Sequence, residues 1–504
     1  MPLYLYCKDR KVSSLLQALK GGIRRRPPDR GVMSTIRKGM EIDLHVEKLA
    51  FGGKALGRHE GVVVFVEGAA PGQVVRVRIA RKKKQYAEAF VTEVLRRSPR
   101  ECEPFCRHFG LCGGCRWQHV PYEDQLSWKR LHVIECLRHV AGFGETRVEP
   151  TVPSPEERWY RNKMEFTFSD RRWLSQEEIE TGRGYDRSFA LGLHAAGRFD
   201  RIFDVETCFL ESPESMSILD AVRRWCRSSG LPPYNTRNHQ GFWRFLVIRE
   251  GKNTGQTLLH LITAAHPAGE SAVDELALHL RELFPSVTTF VHSVSRKKAQ
   301  VALGDASRCV WGPGFIEERL LDLRFRISAH SFFQTNPRAA QNLYEAVLEA
   351  AELKGRESVW DLYCGTGSIA LFIASHAGEV LGFELVEDAV EDAYANCRLN
   401  GIANCRFRAG DLKEIIMEAS REPRSVRRPD VVVTDPPRSG MHPDVVQALR
   451  DLAPKRIVAV SCNPPTLARD LAMLSDVYEI GCVRPFDLFP HTPHIECVVR
   501  LDRK

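Results

Sequence analysis

A cysteine and a glutamate near the carboxyl end of the chain have the side chains needed for nucleophilic and base catalysis. Cys462 follows the apolar run RIVAVS and precedes two prolines and a helical stretch. A thiol at the amino terminus of a helix gains thiolate character and becomes a better nucleophile. Glu496 begins the last strand-like run, beside two histidines in FPHTPHIE, and is the predicted base. A small buried cysteine and a surface carboxylate are the alternatives.

Such a pair can activate carbon 5 of a pyrimidine. A thiolate that adds to carbon 6 makes an enolate-like carbanion at carbon 5, which can take a methyl group from a sulfonium donor. A base must then remove the carbon 5 proton so that the thiolate can leave. Asp435 ends the preceding apolar strand in DVVVTDPPRSG. Methyltransferases acting on exocyclic amines have an aromatic residue after Asp-Pro-Pro, whereas Arg438 stands here, so amine chemistry is disfavoured.

The run DLYCGTGSIA has the pattern of a cofactor-binding loop between a strand and a helix. Gly365 and Gly367 let a cofactor approach the backbone, and Glu384, at the end of the next strand, can accept hydrogen bonds from ribose hydroxyls. The glycines also satisfy the G-x-G-x-x-A pattern, so NAD is an alternative. Asp361 would repel a pyrophosphate but attract a sulfonium, which favours S-adenosylmethionine. Asp411, after a later strand, is predicted near an adenine or as a helix cap.

A group of cysteines in CRHFGLCGGC predicts a metal or iron–sulfur centre, with free structural thiols as the alternative. Cys106, Cys112 and Cys115 would repel each other as thiolates unless a cation held them. If Cys102 is the fourth ligand, the site is a complete tetrahedral zinc site; otherwise a distant cysteine, for which Cys208 is the candidate, must supply it. The radical-forming motif C-x3-C-x2-C is absent from this cluster, so that class is disfavoured.

The composition is that of a globular protein with several domains. The chain has 504 residues, of which 43% are hydrophobic and 27% charged. It has neither an apolar run of about 18 residues nor a secretory signal at its start, which predicts a cytoplasmic protein with no membrane association. Residues 1–100 carry 22 Lys and Arg against 9 Asp and Glu, so their net charge is +13. The whole chain has a net charge of +8, so the remaining 404 residues have a net charge of −5. This concentration of positive charge favours a polyanion partner over merely solvated turns.

The elements that must position these residues fall into four regions. Residues 1–36 show no sustained periodicity and are predicted to be a basic extension, with disorder as one alternative. Four or five short alternating strands over 37–97 predict an oligonucleotide-binding-like β-barrel with a basic RKKK corner. Residues 98–330 are a central α+β domain that contains the cysteine group. Over 331–504, buried strands alternate with helices, which predicts a doubly wound, Rossmann-like α/β domain with a mostly parallel sheet.

Six motifs occur in the order and spacing of the RNA uracil-5-methyltransferase family. They are CRHFGLCGGCRWQ, SFFQTN, DLYCGTGS, DPPR, SCNP and FPHTPHIE. From about residue 40 to the end, the chain resembles the subgroup that carries a TRAM β-barrel and a [4Fe–4S] cluster and methylates uridine in 23S ribosomal RNA.

The resemblance implies roles for individual residues. Cys462 would be the nucleophile and Glu496 the base that takes the carbon 5 proton. Phe332 or Phe333 would stack on the displaced base or belong to the core. The cluster ligands would be Cys106, Cys112, Cys115 and Cys208. The contacts to S-adenosylmethionine would come from Gln334, Tyr363, Ser368, Glu384, Asp411 and Asp435.

The expected partner is therefore RNA, with no obligate protein partner. Ribosomal RNA is the favoured substrate and tRNA the nearest alternative, because relatives with both the barrel and the cluster can modify tRNA. A non-catalytic RNA-binding protein with a degenerate methyltransferase domain is the alternative from a different class. The mechanism requires that the uridine be flipped into the cleft, at a cost of a few kcal/mol, which phosphate contacts from the barrel would offset.

Overall fold

The computed structural model describes residues 36–144, 146–421 and 427–504, with only the backbone described over 417–421. The basic extension predicted for residues 1–36 lies outside the described residues except for Ile36, which is buried in the core of the barrel.

The first part of the chain is a closed barrel with strand order β1-β2-β3-β5-β4, as predicted. Buried and exposed residues alternate along β1, because successive side chains of a strand point to opposite faces. Arg76 and Arg78 in β4 lie on the outside, where they pair with Asp43 and Glu41 of β1. The strands are β1 (Glu41–Leu49), β2 (Ala55–His59), β3 (Val62–Glu67), β4 (Val74–Lys82) and β5 (Tyr86–Arg96).

The second strand of the barrel overlaps a run that has the composition of a turn. The two glycines of GRHEG favour a connection, but its Arg58 and His59 belong to β2, which pairs antiparallel with β3. The turn itself is confined to Glu60 and Gly61, whose φ angles are 47° and 76°. Two residues with positive φ form the tight hairpin turn that matches the twist of paired strands.

The central part contains a mixed sheet with order β12-β11-β10-β9-β6-β7-β8. A helical segment, α1 (Tyr122–Cys136) followed by a π-helical turn (Leu137–Ala141), precedes it, and a hairpin of β13 and β14 follows it. The remaining elements are β6 (Lys163–Ser169), α2 (Gln176–Glu180), β7 (Ala190–His194), β8 (Ile202–Asp204), α3 (Pro213–Ser228), β9 (Trp243–Glu250), β10 (Thr257–Thr263), α4 (Gly269–Leu283), β11 (Val287–Val294), β12 (Ala306–Trp311), β13 (Phe315–Leu320) and β14 (Leu323–Ser328).

The last part is the predicted doubly wound domain. Its sheet has order β17-β16-β15-β18-β19-β21-β20, in which β15 to β19 are parallel and β21 is antiparallel to both of its neighbours. The elements are α5 (Pro337–Ala351), β15 (Ser358–Leu362), α6 (Ser368–Ala374), β16 (Glu379–Glu384), α7 (Glu387–Leu399), β17 (Cys405–Ala409), α8 (Leu412–Arg421), β18 (Val431–Thr434), α9 (Pro443–Leu452), β19 (Arg456–Ser461), α10 (Pro464–Leu474), β20 (Tyr478–Phe486) and β21 (Glu496–Arg503).

Apolar side chains cover both faces of this sheet. Val359 and Val433 belong to the core on one face, whereas Trp360 and Val432 belong to the core on the other. Because both faces are covered by helices, the strands read as continuous apolar runs instead of alternating ones. No helix in the described part of the chain is long and apolar enough to cross a membrane.

Candidate functional site

The carboxyl ends of neighbouring parallel strands bring predicted site residues to one edge of the second sheet. Tyr363 follows β15, Glu384 ends β16, Asp435 follows β18 and Cys462 follows β19. In an open α/β sheet, ligands bind outside the carboxyl ends of the strands, where the strand order reverses. Here the order reverses between β15 and β18, beside Asp435.

The antiparallel strand β21 brings the predicted base to the predicted nucleophile. Ser461, the last residue of β19, pairs with Cys497 of β21. Cys462 directly follows Ser461, and Glu496 directly precedes Cys497. The register therefore places these two residues side by side at the edge of the sheet.

The electrostatics of this pair favour the uncharged forms when no ligand is bound. Burial raises the pKa of the Cys462 thiol, and the neighbouring Glu496 and Asp435 carboxyls raise it further. Burial also raises the pKa of Glu496 well above its usual range, with Asp435 adding to the effect, and it raises the pKa of Asp435 to about 6. A positive charge is needed to favour the thiolate and the carboxylate.

Arg438 supplies such a charge and was not recognised as a functional residue from the sequence. It lowers the pKa values of both Cys462 and Glu496. Its Nη2 donates to Nδ1 of His494 over 3.0 Å, and burial lowers the pKa of that imidazole to about 3. The carbonyl of Arg438 accepts a 2.7 Å hydrogen bond from Nδ2 of Asn463. Arg438 is thus fixed to the residue that follows Cys462.

A cleft of about 350 Å³, including the space open to solvent, is lined in part by Asp435, whose carboxyl acts on the pKa values of both Cys462 and Glu496. Its lining includes four of the predicted cofactor contacts, Gln334, Tyr363, Ser368 and Asp435. The hydroxyl of Ser368 accepts a 3.0 Å hydrogen bond from Tyr344, which fixes its position.

The glycines of the cofactor loop have the left-handed conformation expected of a tight turn. Gly365 and Gly367 have φ angles of 53° and 79°, and Tyr363 has a φ of 65°. A Cβ atom on Gly367 would lie 2.9 Å from Cδ1 of Leu371 and 3.0 Å from Phe407, so the packing of α6 against the sheet requires glycine there. A Cβ atom added to Gly365, which lines the cleft, would meet no heavy atom within 4 Å, so on that side the backbone is open to the cleft.

Glu384 and Asp411 lie beyond the lining of the cleft. The Glu384 carboxylate accepts hydrogen bonds from the backbone N–H groups of Gly365 and Leu385, over 3.0 and 2.9 Å, so it links the cofactor loop to the end of β16. Asp411 is exposed and accepts a 2.8 Å hydrogen bond from the Lys413 N–H at the start of α8. The helix-cap alternative is therefore observed, while the adenine contact remains a prediction.

Asp361 is a buried acid directly beneath the cofactor loop. It is fully buried, and neither carboxyl oxygen meets hydrogen-bond geometry with a described residue, although the nearby Ala370 N–H favours its charged form. Burial raises its pKa well above the usual range, and the Asp435 carboxyl adds to this effect. Buried polar atoms without partners are costly, so the pair of acids fits a ligand that brings positive charge or hydrogen-bond donors.

The two adjacent phenylalanines have different environments. Phe333 is buried and packs at a ring distance of 5.6 Å from Phe325, in the core. Phe332 is 63% exposed at the cleft. Of the two, only Phe332 is available to stack on a ligand.

The structure brings together the four cysteines that the resemblance implies. The negative charges of Cys106, Cys112 and Cys208 each raise the pKa of Cys115, and Cys106 also raises the pKa of Cys208. Burial is the largest cause, and it raises the pKa of Cys112 to about 12 and that of Cys208 to about 11. Cys102 stands apart from this group: burial and acidic neighbours raise its pKa while none of the four cysteines does, and its thiol donates to the carbonyl of Gln118 over 3.3 Å.

The four cysteines lie near one another, but their side chains are not arranged as they would be around a bound metal. Among residues 36–144, 146–421 and 427–504, no set of three or more His, Cys, Asp or Glu side chains has that arrangement. Hydrogen-bond donors nevertheless surround the sulfur atoms: the Gly114 N–H lies 3.4 Å from Sγ of Cys112, and the backbone of Leu210 and Glu211 lowers the pKa of Cys208. Donors of this kind suit thiolates that share a cation.

The strand order and the cleft at the carboxyl ends of the strands are those of a doubly wound, cofactor-binding α/β domain, which confirms the predicted fold class. Residues 301–504 match the family described as tRNA (Uracil-5-)-methyltransferase, and residues 37–92 match the TRAM domain. The chain belongs to this RNA (uracil-5-)-methyltransferase family, and it is an S-adenosylmethionine-dependent RNA methyltransferase.

Relatives extend this similarity over almost the whole chain. An uncharacterized RNA methyltransferase of Nitratidesulfovibrio vulgaris is 44% identical over 94% of this chain and 98% of its own length. Another, from Chlorobaculum tepidum, is 40% identical over 93% and 97%. The crystal structure of Pyrococcus abyssi tRNA (uracil-54, C5)-methyltransferase in complex with S-adenosyl-L-homocysteine is 30% identical, with a TM-score of 0.70 over 91% of this chain and 100% of that one.

Proposed function

We propose that this enzyme transfers a methyl group from S-adenosylmethionine to carbon 5 of a uridine in RNA through a covalent adduct with Cys462. The observation that carries the proposal is the register of β19 and β21, which places a thiol beside a buried carboxyl group. Carbon 5 methylation requires a nucleophile that can reach carbon 6 and a base that can reach the proton on carbon 5, so the two groups must lie in one site.

In the proposed mechanism the two residues act in sequence. The Cys462 thiolate forms a bond to carbon 6, and the electron pair of the carbon 5–carbon 6 double bond makes carbon 5 nucleophilic. After methylation, the Glu496 carboxylate takes the carbon 5 proton. The electrons of the carbon–hydrogen bond restore the double bond, the carbon 6–sulfur bond breaks, and the thiolate is released.

The residues of the cleft fit S-adenosylmethionine, which when bound supplies an electrophilic methyl group on a sulfonium. Asp361 and Asp435 are acids of raised pKa at the cleft and suit a cationic ligand. Glu384 would accept hydrogen bonds from the ribose. Gln334, Tyr363 and Ser368 would complete the binding surface, and Asp411 would lie near the adenine.

Arg438 would help the Cys462 thiol to lose its proton. Because Glu496 and Asp435 both disfavour a negative charge on Cys462, the arginine is the group that opposes them. We assign it the role of stabilising the thiolate during attack.

The uridine must leave its stack to reach this site. Phe332 is exposed at the cleft and would stack on the flipped base, as single-stranded RNA recognition often requires. The exposed Arg81, Lys83 and Lys84 at the end of β4 would bind phosphates and offset the cost of unstacking.

The four grouped cysteines fit a [4Fe–4S] cluster. Their donor set is all thiol, and each thiolate disfavours its neighbours unless iron neutralises them. We assign Cys106, Cys112, Cys115 and Cys208 as ligands and leave Cys102 outside the set. The role of the cluster would be structural, since the chemistry needs no electron transfer.

Two RNA classes are candidate substrates. Large-subunit 23S ribosomal RNA follows from the resemblance of the barrel and cysteine motifs to the ribosomal subgroup. Transfer RNA is favoured by the Pyrococcus abyssi structure, a tRNA methyltransferase that aligns along its entire length with this chain.

Mass-spectrometric mapping of 5-methyluridine tests reaction and substrate together. RNA from cells with and without the protein is compared, and cells producing Cys462→Ala serve as the control. We expect loss of 5-methyluridine at one ribosomal uridine in both deficient strains. Loss in tRNA alone would keep the mechanism and change the substrate, whereas full methylation by Cys462→Ala would exclude the covalent mechanism.

A further inference from the structure

The loop that leads to Glu496, residues 487–495, is anchored at its start by a buried ion pair. Nζ of Lys129 in α1 donates to Oδ1 of Asp487 over 2.5 Å and to the carbonyl of Phe489 over 3.2 Å. Both charged side chains are fully buried. A buried pair is costly to desolvate and is a weak source of stability, so its use here points to a role in fixing geometry.

The middle of the same loop is held from both sides. Oε1 of Gln125 accepts the N–H of His491 over 2.9 Å, and Nε2 of Gln125 lies 3.2 Å from Nδ1 of the same histidine. The carbonyl of His491 accepts hydrogen bonds from the N–H groups of Arg116 and Trp117, over 2.9 and 3.1 Å. His491 has a φ of 65°, a conformation that persists in a non-glycine residue only where its surroundings enforce it.

These contacts reach the loop from the segment that carries the cysteines. Arg116 directly follows Cys115, and Gln125 and Lys129 lie on α1 a few residues later. The residues that line the cofactor cleft come instead from the segment before α5, from the end of β15 with the loop and the start of α6 that follow it, and from Asp435 after β18. Residues 487–495 are therefore held by the segment that carries the cysteines, whereas the cofactor cleft is lined by other parts of the chain.

We propose that Gln125 and Lys129 are positioning residues that place Glu496 for removal of the carbon 5 proton. This inference rests on the proposed function, in which Glu496 is the base. A base must lie within hydrogen-bond reach of the proton it takes, and Glu496 is the residue that immediately follows the anchored loop. Displacement of the loop impairs the last step, in which the carbon 5–hydrogen electrons re-form the double bond and the carbon 6–sulfur bond breaks.

The test is the accumulation of the methylated covalent adduct. Gln125→Leu keeps the volume but removes both contacts to His491, together with the hydrogen bonds that Nε2 donates to the carbonyls of Trp117 and Val120. With an RNA transcript and S-adenosylmethionine, we expect enzyme joined to methylated RNA to accumulate on denaturing gels. Release of product should slow by about tenfold to a hundredfold, while methyl transfer in a single turnover and affinity for S-adenosylhomocysteine change little.

Three further variants make the result decisive. Glu496→Gln sets the adduct level expected when the base is lost, and Gln447→Leu, on the exposed face of α9, is the matched control. If Gln125→Leu folds poorly, the double variant Lys129→Met with Asp487→Leu replaces the buried pair by apolar side chains of similar size. Hydrogen exchange of the amides of 487–496 should quicken in either variant.

The outcomes separate the two proposals. If Glu496→Gln accumulates adduct but Gln125→Leu releases product like the wild type, the positioning role is wrong. An equal loss of methyl transfer and of S-adenosylhomocysteine binding in Gln125→Leu would also overturn it, since that pattern indicates general structural damage. If Glu496→Gln accumulates no adduct, the assignment of Glu496 as the base is wrong, and the positioning role fails with it.

Discussion

Arg438 favours ionisation at the site because its charge opposes the rise in the pKa values of Cys462 and Glu496 that burial and the neighbouring carboxyls cause. In Arg438→Gln both pKa values rise further, so the pH needed to populate the thiolate and the carboxylate moves upward. We expect kcat/KM to rise with pH in both enzymes, with the rise displaced to higher pH in the variant. At neutral pH this lowers kcat/KM by about tenfold for each pH unit of displacement. Methyl transfer to an RNA transcript, followed across pH, measures it.

Arg438→Lys is the matched control, because it keeps the charge and should keep the pH profile. A uniform loss of rate in Arg438→Gln, with an unchanged profile, would show that the arginine acts on RNA and not on the ionisation of Cys462.

Individual site residues could be predicted where a strand end marks them. Asp435 and Cys462 each follow an apolar run, and the structure places both at the edge of the sheet. The sequence could not show which of Phe332 and Phe333 is exposed. That depends on which of the two rings packs against Phe325, and the contact forms only in the folded protein. It gave no sign of the role of Arg438, because its effect arises from the folding of β19 against β21.

The basic end of β4 is the element that we expect to contribute most of the barrel's affinity for RNA. Arg76 and Arg78 are already paired with acids across the barrel surface, whereas Arg81, Lys83 and Lys84 are exposed where β4 ends. Changing these three residues to Gln should weaken RNA binding. It should also make the negative slope of log affinity against log salt shallower by about 2. Filter binding or fluorescence anisotropy over a salt series measures both quantities.

The control removes three positive charges from a different surface, at the edge of the methyltransferase sheet that lies opposite the candidate site. Lys455, Arg503 and Lys504 are exposed near the start of β19, away from the strand ends that form the site. Their replacement by Gln should leave the salt slope almost unchanged. Equal losses in the two triple variants would mean that the barrel binds RNA no better than any other basic surface.

Elements with local signals were predictable, and elements defined by remote pairing were not. The barrel strands and the β15 to β19 region follow from periodicity and apolar runs, apart from β2, whose short length hides it within a turn. The central sheet could not be ordered because β9 lies between β6 and β10, which are far apart in sequence. Every residue of β9 is buried, so it lacks the alternation that reveals a strand.

At the scale of the whole molecule, the three parts meet at residues 487–495. The barrel reaches this loop through the turn at Gly53, where an added Cβ would lie 3.0 Å from Pro493. The central part reaches it through the N–H groups of Arg116 and Trp117. The barrel, the cysteine segment and the methyltransferase sheet therefore share a single junction next to Glu496.

The cysteine group joins distant parts of the chain, so its ligand set can be tested by its effect on the whole fold. Cys208 lies between β8 and α3, just over a hundred residues after Cys106, and an iron–sulfur cluster would crosslink the two segments. We expect Cys208→Ser to lower bound iron from about four atoms per chain to below one, and to lower the melting temperature. Cys102→Ser should keep both iron and stability, because its thiol bonds only to the Gln118 carbonyl among the described contacts. Iron and sulfide analysis after anaerobic reconstitution, with thermal unfolding of the same samples, would show the assignment to be wrong if Cys102→Ser lost the iron and Cys208→Ser retained it.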